Sequence, residues 1–150
     1  MASSPLLHRQ WQWLRECLDD NKQTLYGAKY NFAAISSMQE YQEKVPLITY
    51  EEIRADVNAV AEGEEDILFA GSAVAFEMTG GSTGGAKLIP YTNKSFRDFQ
   101  RAILPYLEKT FAEYQIDSKN TYWSISPAAR SIKKTKSGIA IGVSDSDYLG

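Results

Sequence analysis

The chain has 150 residues, of which 43% are hydrophobic and 23% charged, and a formal net charge of −3. That composition excludes a disordered or low-complexity protein and is enough for one domain with a real core. Net acidity argues against nucleic acid as a partner. The single cysteine, Cys17, has no second thiol to pair with, which points to the reducing cytosol. No continuous apolar stretch of signal or transmembrane length opens the chain, so neither export nor a membrane partner is expected.

In chain order, Leu7, Trp11, Leu14 and Leu18 recur at helical spacing and predict an amphipathic helix. Trp11 and Trp13 fit core packing better than a substrate pocket. His8 is the only histidine and lies near the terminus, a poor place for a Ser/His/Asp triad. Cys17 has no activating base nearby, and no cysteine–histidine spacing suggests zinc. Ser37-Met38-Gln39-Glu40 and Thr49-Tyr50-Glu51-Glu52 each set a hydroxyl three residues before a glutamate, predicting two capped helices. Between them Val45-Pro46 requires an extended step. The acidic residues Glu62, Glu64, Glu65 and Asp66 surround Gly63 without the regular ligand pattern of a calcium loop, and read as a solvated turn.

Ile67-Leu68-Phe69 predicts a short strand, Gly71-Ser72 a turn, and Val74 to Met78 a second strand. Alternation along that second strand points Glu77 to solvent; its other possible role is to orient a hydroxyl or Mg²⁺ in the loop that follows. Leu88-Ile89-Pro90-Tyr91 is extended. Phe96, Phe99, Ile103, Leu107, Phe111 and Tyr114 then fall at three- and four-residue steps, predicting a long helix capped by Thr92 or Asn93 and kinked at Pro105. Tyr122 to Ser126 reads as another strand. Arg130, Lys133, Lys134 and Lys136 form a basic patch whose default reading is a charged loop. From Ser137 to Gly150 the chain is turn-rich with no closing element, as expected of a chain cut from a longer one. Alternating helices and strands predict an α/β fold with parallel pairing.

The chemistry concentrates in Thr79-Gly80-Gly81-Ser82-Thr83-Gly84-Gly85-Ala86-Lys87. Glycines allow positive φ and close approach of N–H groups to phosphate oxygens, hydroxyls donate further hydrogen bonds, and the lysine adds a mobile positive charge. A Walker loop starting at Gly80 needs lysine where Ala86 stands and a hydroxyl residue after it, whereas Lys87 is one place late and Leu88 follows. A dinucleotide fingerprint opens a helix directly, whereas these glycines lead into an extended segment ending at Pro90.

Phe76 through Lys87 instead resembles the signature of the adenylate-forming enzymes, an aromatic residue followed by T/S-x-G-S/T-T/S-G-x-x-K. The continuation Lys87-Leu88-Ile89-Pro90-Tyr91-Thr92 is similar to that of the auxin-responsive promoter (Gretchen Hagen) family of acyl-acid amido synthetases and its bacterial relatives. So are Tyr26-Gly27 with Phe32, Val45-Pro46-Leu47-Ile48-Thr49-Tyr50-Glu51, Ser124-Ile125-Ser126-Pro127 and Ser137-Gly138-Ile139, in the same order. Gly80 departs from the pattern, standing where many members have serine, which removes one hydroxyl and keeps the backbone donors.

The resemblance implies that residues 1–150 are the N-terminal part of the large domain of an adenylate-forming enzyme, a helical N-terminus followed by mixed strands and helices, without the C-terminal domain. It implies ATP and Mg²⁺, a carboxylic acid activated as its acyl-adenylate, and transfer to an amine, usually an amino acid. Lys87 is the implied catalytic residue, and Thr79, Gly80, Gly81, Ser82, Thr83, Gly84, Gly85 and Lys87 the implied nucleotide-binding set. Adenine, ribose and metal contacts fall beyond Gly150 on this pattern, so the 150 residues alone are expected to be inactive. The alternatives are a ligase of the same superfamily with a thiol acceptor such as coenzyme A, and a non-enzymatic binding module with a vestigial loop.

Overall fold

Pro5 opens the first helix, α1 (Pro5–Asn21), at the position where a missing N–H costs nothing and a fixed φ helps. The protein is described from a computed structural model over residues 4–79, 87–117, 119–120 and 133–143. It divides into two compact units, Met1–Ser72 and Ala73–Gly150.

In the first unit, α1 buries Leu18, half-buries Trp11 and Leu14, and leaves Leu7 and Trp13 exposed. The predicted helix is present, but Trp13 is not core. At the end of α1 the Asn21 side chain is engaged at both ends, its Nδ2 donating to the Cys17 carbonyl at 2.7 Å and its Oδ1 accepting from Ala70 N–H at 2.8 Å. Thr24, 1% exposed, donates its hydroxyl to the Asn21 carbonyl at 2.8 Å and accepts from Gly27 N–H at 2.9 Å. It thereby caps the short helix α2 (Leu25–Lys29). Gly27 is buried so close to α1 that a Cβ on it would lie 1.9 Å from the Asn21 carbonyl oxygen. Only glycine fits there.

Tyr26 stacks obliquely on Tyr30, with centroids 4.8 Å apart, and meets Phe32 edge-on at 6.0 Å. Burial, then the neighbouring Tyr30, Tyr41 and Asp56, raise the Tyr26 phenol above its ordinary range. After a 3-10 turn at Phe32–Ala34, Ser37 caps α3 (Met38–Lys44) by accepting from Glu40 N–H at 3.1 Å. The reciprocal half of that predicted box is displaced by one residue: the Glu40 carboxylate accepts from Ser36 N–H at 2.7 Å. Val45 is extended before Pro46, as required. In α4 (Tyr50–Ala61) the Glu52 carboxylate accepts from Thr49 N–H at 2.6 Å and from its hydroxyl at 2.7 Å, and Val57 and Val60 are buried.

The acidic segment is a hydrogen-bonded turn. Asp66 has φ +55°, its carboxylate accepts from Gly71 N–H at 2.7 Å, and Glu65 bonds the Ser72 hydroxyl. The strand expected at Ile67-Leu68-Phe69 is absent, and these residues lie in a run of bends. Their backbone has a different task, since the Asp66 and Ile67 carbonyls accept from Leu25 and Tyr26 N–H at the start of α2. This meets the need of a helix N-terminus for acceptors.

In the second unit, β1 (Ala75–Met78) pairs antiparallel with β2 (Leu88–Tyr91) and parallel with β4 (Ala140–Ile141), which pairs antiparallel with β3 (Lys133–Lys134). Among the described residues the sheet order is β2-β1-β4-β3. Tyr91 stacks on Phe96 at 5.1 Å, and Thr92 caps α5 (Asn93–Glu113) by accepting from Ser95 N–H at 3.0 Å. This helix runs on through Pro105, which cannot donate to the Arg101 carbonyl. On its apolar face Phe96, Ile103 and Leu107 are half-buried, while Phe99, Phe111 and Tyr114 are exposed. Lys133, Lys134 and Lys136 are exposed, the first two on β3, the outermost strand among the described residues. The strand expected at Tyr122 to Ser126, Arg130, and the residues from Ser144 onward lie outside the described residues.

Replacement of Gly27 by alanine is expected to destabilise the first unit by about 2 kcal/mol or more, since the clashing atom is backbone and cannot rotate away. Thermal unfolding measures this, and an unchanged midpoint would contradict the packing. The Glu52 carboxyl is held below its ordinary value of 4.5 mainly by the Thr49 backbone N–H, then by the Thr49 hydroxyl. Its cap is therefore present above that value and is lost as pH falls through the lower folded value. The Thr49 amide resonance should titrate below pH 4.5, and Glu52→Gln should abolish the transition.

Candidate functional site

Phe76 is fully buried, and Ala75 before it is nearly so, which fixes β1 in the sheet. The β1–β2 register runs from Ala75 opposite Tyr91 to Met78 opposite Leu88. One further bond closes the ladder, from Thr79 N–H to the Lys87 carbonyl at 3.0 Å. The first and last residues of the glycine-rich segment are thus held one strand spacing apart by backbone alone. Thr79 is exposed and Lys87 half-buried. Gly80, Gly81, Ser82, Thr83, Gly84 and Gly85 lie outside the described residues.

The parallel partner β4 reaches the same end of the sheet. Ala75 faces Ala140 and Phe76 faces Ile141, so both strands direct their carboxyl ends toward the start of the loop. That is the edge at which parallel α/β sheets commonly present ligand sites. The Ser137-Gly138-Ile139 motif forms the turn that delivers β4. Thr135 N–H donates to the Ile139 carbonyl at 2.9 Å, and Gly138 N–H donates to the Thr135 carbonyl at 3.0 Å.

Beyond β4, Gly142 N–H donates to the Phe76 carbonyl at 2.7 Å. Its φ of +117° bends the chain in a way that a residue with a side chain rarely adopts. The next amide, Val143 N–H, donates to the Glu77 carboxylate at 3.2 Å. Glu77 is half-buried and holds neighbouring backbone, which corrects the expectation that alternation would turn it to solvent. Alternation assigns only a face, whereas both Ala75 and Phe76 before Glu77 are buried and the Glu77 carboxylate bends along the sheet to the Val143 amide. The approach of Gly142 and Val143 was not read from the sequence. Its signal was the Ser137-Gly138-Ile139 motif, whose glycine turn starts the strand that lies beside β1.

Among the described residues no group of three or more His, Cys, Asp or Glu is arranged to hold a metal ion. No described helix is long and apolar enough to cross a membrane.

The GH3 family N-terminal domain matches residues 4–149. A probable indole-3-acetic acid-amido synthetase of Arabidopsis thaliana, GH3.1, is 28% identical over 79 residues, covering 51% of this chain and 13% of the relative. The 4-substituted benzoates-glutamate ligase GH3.12 of the same plant is 29% identical over 83 residues, covering 54% and 14%. Among solved structures, GH3.15 acyl acid amido synthetase superposes with a TM-score of 0.69 at 25% identity, over 91% of this chain and 25% of its own. The chain spans about one seventh of these curated relatives and a quarter of the solved one. From residue 4 to residue 149, then, it belongs to the GH3 family, as that family's N-terminal domain.

Proposed function

We propose that this chain carries the triphosphate loop of a cytosolic acyl-acid amido synthetase and forms part of its N-terminal adenylation domain. The observation that carries this reading is the Thr79–Lys87 segment, with its glycines, hydroxyls and terminal lysine, suspended between paired strands in a member of the GH3 family. The donor set fits a triphosphate: backbone N–H groups from Gly80, Gly81, Gly84 and Gly85, hydroxyls from Thr79, Ser82 and Thr83, and the Lys87 ammonium. Mg²⁺ would enter with ATP, bound largely through phosphate oxygens and water.

ATP, as substrate, supplies the group that activates a carboxylic acid as its acyl-adenylate, and an amine, in this reading an amino acid, then takes the acyl group as an amide. The chain's own part is positional and electrostatic. The loop holds the outer phosphates in line, and Lys87 offsets the charge that develops on departing pyrophosphate. On the family pattern, the adenine and ribose contacts lie beyond these 150 residues. The amino-acid acceptor follows the glutamate named for one relative. The two relatives are named for different acids, so the acid is to be found by screening.

Pyrophosphate release by the complete enzyme, screened over carboxylic acids and amino acids, tests the proposal. It should depend on both substrates and yield an amide, and Lys87→Ala should lower the rate about tenfold or more. An unchanged rate removes Lys87 from the site, and product appearing only with a thiol acceptor replaces the amido synthetase with the thioester-forming alternative.

A further inference from the structure

We infer that Glu77 is a positioning residue for the phosphate loop, fixing the backbone at Val143 beside the strand that enters the loop. The inference rests on the proposed function. Glu77 lies two residues before Thr79 on β1 and faces Ile89 on β2. Its carboxylate reaches the other way along the sheet, to the Val143 amide at 3.2 Å, a link between residues far apart in the chain. The preceding amide, Gly142 N–H, is already spent on the Phe76 carbonyl at 2.7 Å, and β4 ends at Ile141. In a regular strand the amide after Gly142 would face away from β1; with Gly142 at φ +117°, Val143 N–H instead meets the Glu77 carboxylate on β1. A side chain takes over where the ladder stops.

The consequence is specific to this edge. The carboxyl ends of β1 and β4 flank the start of the loop, and a two-residue strand gives β4 little hold of its own. The Glu77 bond extends that hold by one residue, up to the level of the loop's entrance. Bound to Val143, the carboxylate serves as a hydrogen-bond acceptor in the protein frame.

Two substitutions separate those roles in the complete enzyme. Glu77→Gln keeps an acceptor and removes the charge, whereas Glu77→Val keeps strand propensity and removes the acceptor. Two quantities are read for each, namely hydrogen exchange at the Val143 amide by NMR and the affinity for Mg-ATP and for tripolyphosphate by calorimetry. Glu77→Val should speed Val143 exchange about tenfold or more and weaken nucleotide binding severalfold. Glu77→Gln should stay close to wild type in both.

Unchanged Val143 exchange in Glu77→Val overturns the tie. Nucleotide affinity lost equally in both variants, with Val143 still protected in Glu77→Gln, overturns positioning in favour of a role for charge. If Glu77→Val does not fold, Glu77→Leu, equally without an acceptor, takes its place in both readings. A wild-type enzyme that binds neither Mg-ATP nor tripolyphosphate counts against the loop assignment and so against the functional part of this inference, while Val143 exchange still reads the tie itself.

Discussion

The pairing of β1 with β2 is the constraint on which the candidate site depends. A loop rich in glycine has a large conformational entropy to lose on binding, and that loss is smaller when its two ends are already set. Here the setting is done by main-chain bonds from the Ala75–Tyr91 pair to the Thr79–Lys87 closure, with fully buried Phe76 preventing the ladder from sliding. A slip of one residue would turn every side chain of β1 to the opposite face and expose Phe76. The position of Lys87 is therefore tied to an aromatic ring eleven residues before it in sequence.

The first unit is held by a different device, a knot of polar groups at the junction of α1 and α2. Asn21, Thr24 and Gly27 interlock through one carbonyl, one hydroxyl and one missing side chain. Thr24 is buried, yet its hydroxyl both donates and accepts, so the burial leaves no polar atom unsatisfied. With Asn21 reaching Ala70, the same knot ties the segment leading out of the unit back to α1.

What could be read from the sequence was mostly what local rules decide. The apolar period found α1 and α5, Ser37, Thr49 and Thr92 announced their helices, and Val74 to Met78 with Leu88 to Tyr91 gave the two strands around the loop. The errors arose where distant backbone decided the outcome. Ile67-Leu68-Phe69 looks like a strand by composition, but its neighbourhood serves as acceptor for the start of α2. Glu77 looks solvent-facing by alternation, but its carboxylate accepts from a backbone amide far along the chain, Val143 N–H. Trp13 carries the residue type of a core on the wrong face of α1. The glycines, hydroxyls and lysine of the loop were legible as composition and spacing, while the seven residues between Thr79 and Lys87 lie outside the described residues.

The sheet also combines two kinds of contact that form at different speeds. β1 and β2 are neighbours in sequence and need to close only the loop between them, whereas β4 reaches β1 after the whole of α5 and the segment beyond it. Short closures cost less entropy and occur sooner. On the ribosome the hairpin bearing the glycine-rich loop can therefore be complete while β4 is still unmade, leaving one edge of β1 open to any strand that arrives first. An edge in that condition is an aggregation hazard during synthesis, and β4 covers it only once α5 and the segment beyond it have been made.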